Sequence, residues 1–187
     1  MSSLVAVAKE VESPLHSKCI EILLNLTKFP ANGSVMTHNE EVVDTLVATA
    51  DSAIKQNRVA AIRSLQNMSA DASSKTKLAS ESVLSSVSSF ALRTEEDEKE
   101  AAVAFLYNIS TEPGAVVSIT NTKNVVATLV HLAHHPQSSP TVRRLSCDAL
   151  ATISLWLQTL AGTGKVPKGV ENVPLPSQKT TGWARWD

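Results

Sequence analysis

Four five-residue stretches of the chain say nearly the same thing: "LLNLT" from Leu23, "LQNMS" from Leu65, "LYNIS" from Leu106 and "LATIS" from Leu150. Asn25, Asn67 and Asn108 stand 42 and 41 residues apart, and Thr152 takes the same column 44 residues later. Two positions before this anchor are Leu23, Leu65, Leu106 and Leu150; one position after it are Leu26, Met68, Ile109 and Ile153. Five positions before it are Ile20, Ile62, Val103 and Cys147. These offsets trace one stripe of a helical period, so each copy predicts an amphipathic helix with its apolar face in the same register. A second helix recurs with it, starting at Val42, Val83 and Val125. The segments between, "PANGSVMTHNE", "ADASSKTKLASE" and "EPGAVVSITNTK", each have room for a turn and one short helix. A unit of this kind cannot bury its face alone, but stacked units can, which predicts an all-α solenoid.

Composition agrees with stacked helices and removes several functions. Aromatic residues make up only 4% of the chain, low for a β-sandwich, while small side chains that let helices pack closely are abundant. No apolar run is long enough to span a membrane. Net charge is −1, so no overall field draws the chain to nucleic acid or an anionic membrane. The first residues, "MSSLVAVAKEVE", lack the basic start of a signal peptide. Cys19 and Cys147 both fall in apolar stretches and are expected to be buried thiols, which suits a reducing compartment, cytoplasmic or nuclear.

The period near 42 residues, the three-helix unit and a long third helix ending in "AFLYNIS" resemble armadillo repeats, the family of β-catenin and importin-α. The resemblance covers roughly residues 1–160 and implies a right-handed α-solenoid of about three to four repeats; residues 161–187, rich in Gly, Pro, Lys and Thr, read as a Pro/Gly-rich tail. It also implies that the third helices line a concave groove, in which an Asn near their C-terminal ends binds the backbone of an extended peptide. Asn25, Asn67 and Asn108 match that Asn. Where importin-type grooves carry a Trp four residues earlier, this chain has Glu21, Arg63 and Ala104, which points away from nuclear-localisation signals as ligands. The Gly usual between first and second helices is absent; Asn39 and Asn121 stand near that place, and Asn tolerates left-handed geometry.

The implied function is a protein-interaction scaffold without enzymatic activity, cofactor or metal. Its candidate peptide-binding residues are Asn25, Asn67 and Asn108 with Glu21, Arg63 and Asp148, since the anchor and the residue four before it share a helix face. A competing reading makes each Asn a structural pin to the next copy's backbone. Two further readings are a subunit of a larger complex and an RNA-binding solenoid; neutral charge disfavours the second. Other motifs have plainer explanations. Of the Asn-x-Ser/Thr triplets at Asn25, Asn32, Asn67 and Asn108, three lie in predicted helices rather than glycosylated loops. "GTGK" at 162–165 lacks the remaining residues of a phosphate loop. His131, His134 and His135 cluster at a helix C-terminus, which the dipole favours without a metal. Thr94 and Asp97 have capping-box spacing, and the surrounding acids suit a helix start.

His16, Arg58, Lys99 and Arg143 all precede the anchor by nine residues, about half a turn away from the Asn face. They are expected to bond to carbonyls or acids of the preceding helix. Leu4 falls in the column of Leu46, so the chain opens inside a second helix, and Val5, Val7 and Ala8 are expected to present an apolar face open to self-association or a partner. Trp183 and Trp186 are expected to dock the tail on the helices.

Overall fold

A computed structural model describes residues 2–93 and 96–162. Its helices are α1 (Ser2–Lys9), α2 (His16–Thr27), α3 (Pro30–His38), α4 (Glu40–Thr49), α5 (Lys55–Ser69), α6 (Ala72–Leu78), α7 (Glu81–Arg93), α8 (Glu96–Ser110), α9 (Val116–Asn121), α10 (Val125–His134) and α11 (Pro140–Gly162). A 3-10 turn, Pro113–Ala115, precedes α9, and no strand occurs among the described residues. The order gives a two-helix partial copy, α1–α2, followed by three complete copies: α3–α5, α6–α8 and α9–α11. The third helices stack in sequence, α2 on α5, α5 on α8 and α8 on α11.

Local chemistry sets the boundaries. Pro30 and Pro140 open α3 and α11, where a missing N–H costs nothing. Glu40 and Glu41 occupy the first turn of α4, where the helix dipole favours carboxylates. The left-handed residue before a second helix is Asn124, at φ 71°, rather than Asn121. Asn39 is extended, at φ −92°. Gly33 lies where α3 crosses the end of α5, and a Cβ there would meet the Asp71 Cβ at 3.3 Å.

Burial divides each third helix into faces. Six positions before the anchor, Cys19, Ala61, Ala102 and Ser146 are all buried, facing their own copy's core. Three before it, Ser64, Phe105 and Ala149 are fully buried, but Ile22 on α2 is 46% exposed. This column therefore faces the preceding copy, which α2 lacks among the described residues. Five before the anchor, Ile20, Ile62 and Val103 are fully buried, whereas Cys147 on α11 is exposed. That column faces the following copy. Cys147 is thus not the buried thiol its apolar neighbours predict, because no described helix covers its side of α11. The opening segment also differs from expectation: Val5 and Ala8 are buried and Val7 is partly so, leaving Val11, Leu15 and Ile22 as the exposed large apolar residues there.

The basic column is anchored as expected at His16, whereas Arg58 reaches the loop after α4 and the following copy rather than the preceding helix. His16 Nδ1 donates to the Ala8 carbonyl at 2.8 Å, and Arg58 Nη1 donates to those of Ser52 and Ala53 at 3.0 Å each. Arg58 also faces the buried Glu98 of the next copy, with Nη2 3.6 Å from Oε1. Removing one partner of a buried pair leaves an uncompensated charge. Arg58→Met should cost about 3 kcal/mol in urea denaturation. Adding Glu98→Gln should recover part of that loss. An Arg58→Met midpoint equal to wild type would show that the pair is energetically idle.

The capping-box pair, the phosphate-loop-like stretch beyond Gly162 and both tail Trp residues lie outside the described residues or side chains.

Candidate functional site

The anchor Asn residues fasten the stack through an interaction that neither sequence reading specified. Asn67 Nδ2 donates to Thr27 Oγ1 at 3.1 Å, and Asn108 Nδ2 donates to Ser69 Oγ at 3.0 Å. Each acceptor lies two residues past the anchor of the preceding copy. These hydroxyls have already spent their own protons: Thr27 donates to the Leu24 carbonyl at 2.7 Å and Ser69 to the Gln66 carbonyl at 2.6 Å. A hydroxyl so engaged can only accept from the Asn, which fixes the amide's orientation. The Asn-x-Ser/Thr triplet is therefore split between copies, its hydroxyl serving the next copy's Asn. The partner is the preceding copy's side chain, not a neighbouring backbone.

At the ends the clasp is incomplete. Thr152 turns its hydroxyl back to the Asp148 carbonyl at 2.8 Å, while Ser110 donates to Tyr107 O at 2.7 Å. Asn25 has no preceding hydroxyl among the described residues, and its Oδ1 accepts from Lys28 Nζ at 2.9 Å.

Three of the six candidate residues converge. Glu21, Asn25 and Arg63 line one cleft of about 630 Å³ between α2 and α5, together with Lys28, Lys55 and Asn57. Asn67 lines the adjoining cleft of about 460 Å³ with Thr27, Lys28 and Asp71, so Lys28 joins the two. Asn108 lies one copy further on, in its clasp with Ser69, and Asp148 pairs with Arg144 at 3.2 Å on α11. Neither of these lines the two clefts.

The cleft's charges are unequal. Glu21 is neutralised by Lys18 at 3.0 Å, whereas the exposed Arg63 and Lys28 leave the walls on balance positive. Asn57, 2% exposed, keeps its side-chain Nδ2 without a hydrogen-bond partner. The clasped Asn67 and Asn108 use their Nδ2 and leave their side-chain carbonyls without a partner among the described residues. Lys28, Lys55 and Asn57 escaped the sequence reading because they lie off the anchor and minus-four columns. The hydroxyl column was visible there, disguised as a glycosylation triplet. The His cluster forms local contacts: His134 Nδ1 donates to the Val130 carbonyl at 2.9 Å, and the His131 and His135 rings meet at a tilt of 51° with centroids 4.9 Å apart.

Asp71, on the second cleft, accepts from Ser73 at 2.5 Å and Ser74 at 2.8 Å, and these bonds hold its carboxyl below the usual range. Its stabilising contribution is complete above the unfolded-state value and disappears as pH falls through the lower folded-state one. Stability measured from neutral pH downward should lose this contribution below pH 3.8, and Asp71→Asn should flatten that part of the curve. An unchanged curve would remove the carboxylate from the linkage.

No family model and no curated protein matches this sequence. Solved structures do. An engineered protein from the Northeast Structural Genomics Consortium superposes with TM-score 0.69 at 18% identity, over 87% of this chain and 67% of that one. A designed armadillo repeat protein superposes with TM-score 0.67 at 19% identity, over 88% of this chain and 70% of that one. A second engineered consortium protein gives 0.69 at 20% identity, over 87% of this chain and 40% of its own. The fold is a right-handed armadillo-like α-solenoid.

A double-mutant cycle measures the clasp. Asn108→Ala and Ser69→Ala should each destabilise the chain, and their coupling should be about 1 kcal/mol. Asn25→Ala, with no hydroxyl to lose, should leave the melting temperature unchanged. Additive losses from Asn108→Ala and Ser69→Ala would mean that the bond contributes nothing.

Proposed function

We propose that this chain is a non-enzymatic protein-interaction scaffold that holds an extended peptide segment along a concave groove formed by the third helices. The observation that carries the reading is the convergence of Glu21, Asn25, Lys28 and Arg63 on one cleft that continues past Lys28 to Asn67. An extended backbone offers alternating N–H and C=O groups. The side-chain carbonyls of Asn67 and Asn108 can accept the first, and the Asn25 amide nitrogen can donate to the second. The uncompensated Arg63 and Lys28 favour a ligand with a Glu or Asp side chain opposite α5. The two free thiols fit a reducing compartment, cytoplasm or nucleus.

Because the Asn67 and Asn108 amides also stabilise the stack, Asn25 and Arg63 are better probes of binding. Peptides selected on the chain from a displayed random library should be enriched in acidic residues. Asn25→Ala combined with Arg63→Ala should weaken a selected peptide roughly 30-fold in fluorescence anisotropy, with the melting temperature unchanged. Added salt should weaken binding as well. The reading fails if no peptide is enriched or if the variant binds selected peptides with wild-type affinity. Membership of a larger complex is favoured by a separate observation, the apolar Leu15 and Ile22 left 57% and 46% exposed beside α2.

A further inference from the structure

A cavity of about 710 Å³ lies at the edge of the stack where the third helices begin, between the end of α1 with the loop after it and α4 with the loop after it. Both walls belong to adjacent described copies. The first helices pack at the opposite edge, where Gly33 of α3 meets Asp71 and Met68 at the end of α5. The cavity shares no residue with the clefts that hold Asn25 and Asn67. Ala8, Val11, Ala48, Ala53 and Ile54 give it apolar walls, and Val11 and Ile54 are 66% and 52% exposed.

The polar side chains around it offer mainly lone pairs. Thr45 and Thr49 are buried, and their hydroxyls give their protons to the Glu41 carbonyl at 2.6 Å and the Thr45 carbonyl at 2.7 Å, so both oxygens can only accept. Glu12 and Asp44 are exposed carboxylates without a partner among the described residues. Asp51 is paired with Arg93, and Lys9 is held by Glu41 at 3.4 Å. His16 is the independent sign of a ligand. It lines the cavity and is 3% exposed, and its Nδ1 gives its proton to the Ala8 carbonyl. Nε2 of the neutral ring can then only accept, and this buried atom has no partner among the described residues, which is unfavourable. The next junction shows what is missing. Arg58 stands in the column of His16 and brings a guanidinium that donates to the Ser52 and Ala53 carbonyls and faces Glu98. The imidazole has one N–H, already used, so it brings no such donor to the acceptors around it.

We propose that this cavity binds a small organic amine, its ammonium group donating to His16 Nε2 with Glu12 and Asp44 balancing the charge, and its apolar body lying against Val11, Ala48 and Ile54. An ammonium group has three donors and no acceptor, the complement of this lining. An anion would meet two unpaired carboxylates, and a bare metal ion would leave the apolar walls in water. The volume is that of a small-molecule site.

Isothermal titration calorimetry of the full chain with tryptamine and hexylamine tests the inference, with tryptophol and hexanol as neutral counterparts. At least one amine should bind, and its alcohol should bind roughly tenfold more weakly or not at all. Glu12→Gln combined with Asp44→Asn, at two exposed positions, should weaken the amine roughly tenfold while the melting temperature stays at the wild-type value. Should that variant fail to fold, Asp44→Asn alone is titrated and should weaken binding roughly threefold. Asn25→Ala combined with Arg63→Ala should leave amine binding unchanged, so the fate of the peptide reading is measured separately. In nitrogen-resolved NMR spectra of the histidine rings, saturating amine should shift the His16 Nε2 resonance and the alcohol should not. No binding by either amine, equal affinity for an amine and its alcohol, undiminished binding by the carboxylate variant, or an unmoved His16 resonance overturns the proposal.

Discussion

Each inner third helix, α5 and α8, is covered on three sides, and that arrangement organises the rest. One column faces the helix's own copy, one the copy before and one the copy after. On α5 all three are filled: Ala61 inward, Ser64 toward α2 and Ile62 toward α8 are each fully buried. Burying a Leu or Ile side chain contributes about 2 kcal/mol, so a lone copy forgoes much of its stability when two faces stay wet. The short first helices and the second helices complete each layer. The layers become a domain only because neighbours share these faces.

The clasp adds direction to this packing. Apolar columns tolerate small slips along the helix axis, whereas an amide nitrogen reaching a hydroxyl across 3.1 Å tolerates little. Asn is suited to the position because its two ends separate: the nitrogen is consumed in the stack and the carbonyl is left without a partner among the described residues. Asp would lose the donor, and a Ser or Thr is too short to span the gap. Thr152 illustrates this, since its hydroxyl returns to its own helix at Asp148. On the opposite side of the same helices, His16 and Arg58 tie helix starts to carbonyls of the preceding segment. The Arg58 guanidinium, unfavourable at a helix N-terminus on its own, is thereby compensated, and neither anchor lines the clefts that hold Asn25 and Asn67.

The architecture was legible in the sequence because burial is a property of columns, and columns survive as periodicity. Val42, Val83 and Val125 marked the second helices, and all three are buried in α4, α7 and α10. What periodicity could not say is which flank of a stripe meets which neighbour. Cys147 has the apolar surroundings of Ile20 and Ile62, and only its place on the last described third helix exposes it. The clasp was hidden for a related reason: its donor and acceptor lie about one repeat apart, at 40 and 39 residues, while the eye reads the Asn and hydroxyl two residues apart as one motif. Of the candidate site, Glu21, Asn25 and Arg63 were recoverable from helix geometry. Lys28 was not, because its role follows from where α2 ends beside α5.

The likeness to designed and engineered solenoids at 18 to 20% identity has the same origin. Stacking restricts a few positions in each copy to apolar or small residues and leaves the others open, so sequences can diverge widely while the layers superpose. The minus-four column is among the free positions: Glu21, Arg63, Ala104 and Asp148 share almost no chemistry, yet each is compatible with its helix. Residues can therefore change at such positions without disturbing the stack, and a fold match reports the constrained columns alone. For this chain the specific information lies in the departures, the positive balance around Lys28 and Arg63 and the Asn25 amide that has no hydroxyl before it among the described residues. These are the positions at which packing alone does not dictate the residue.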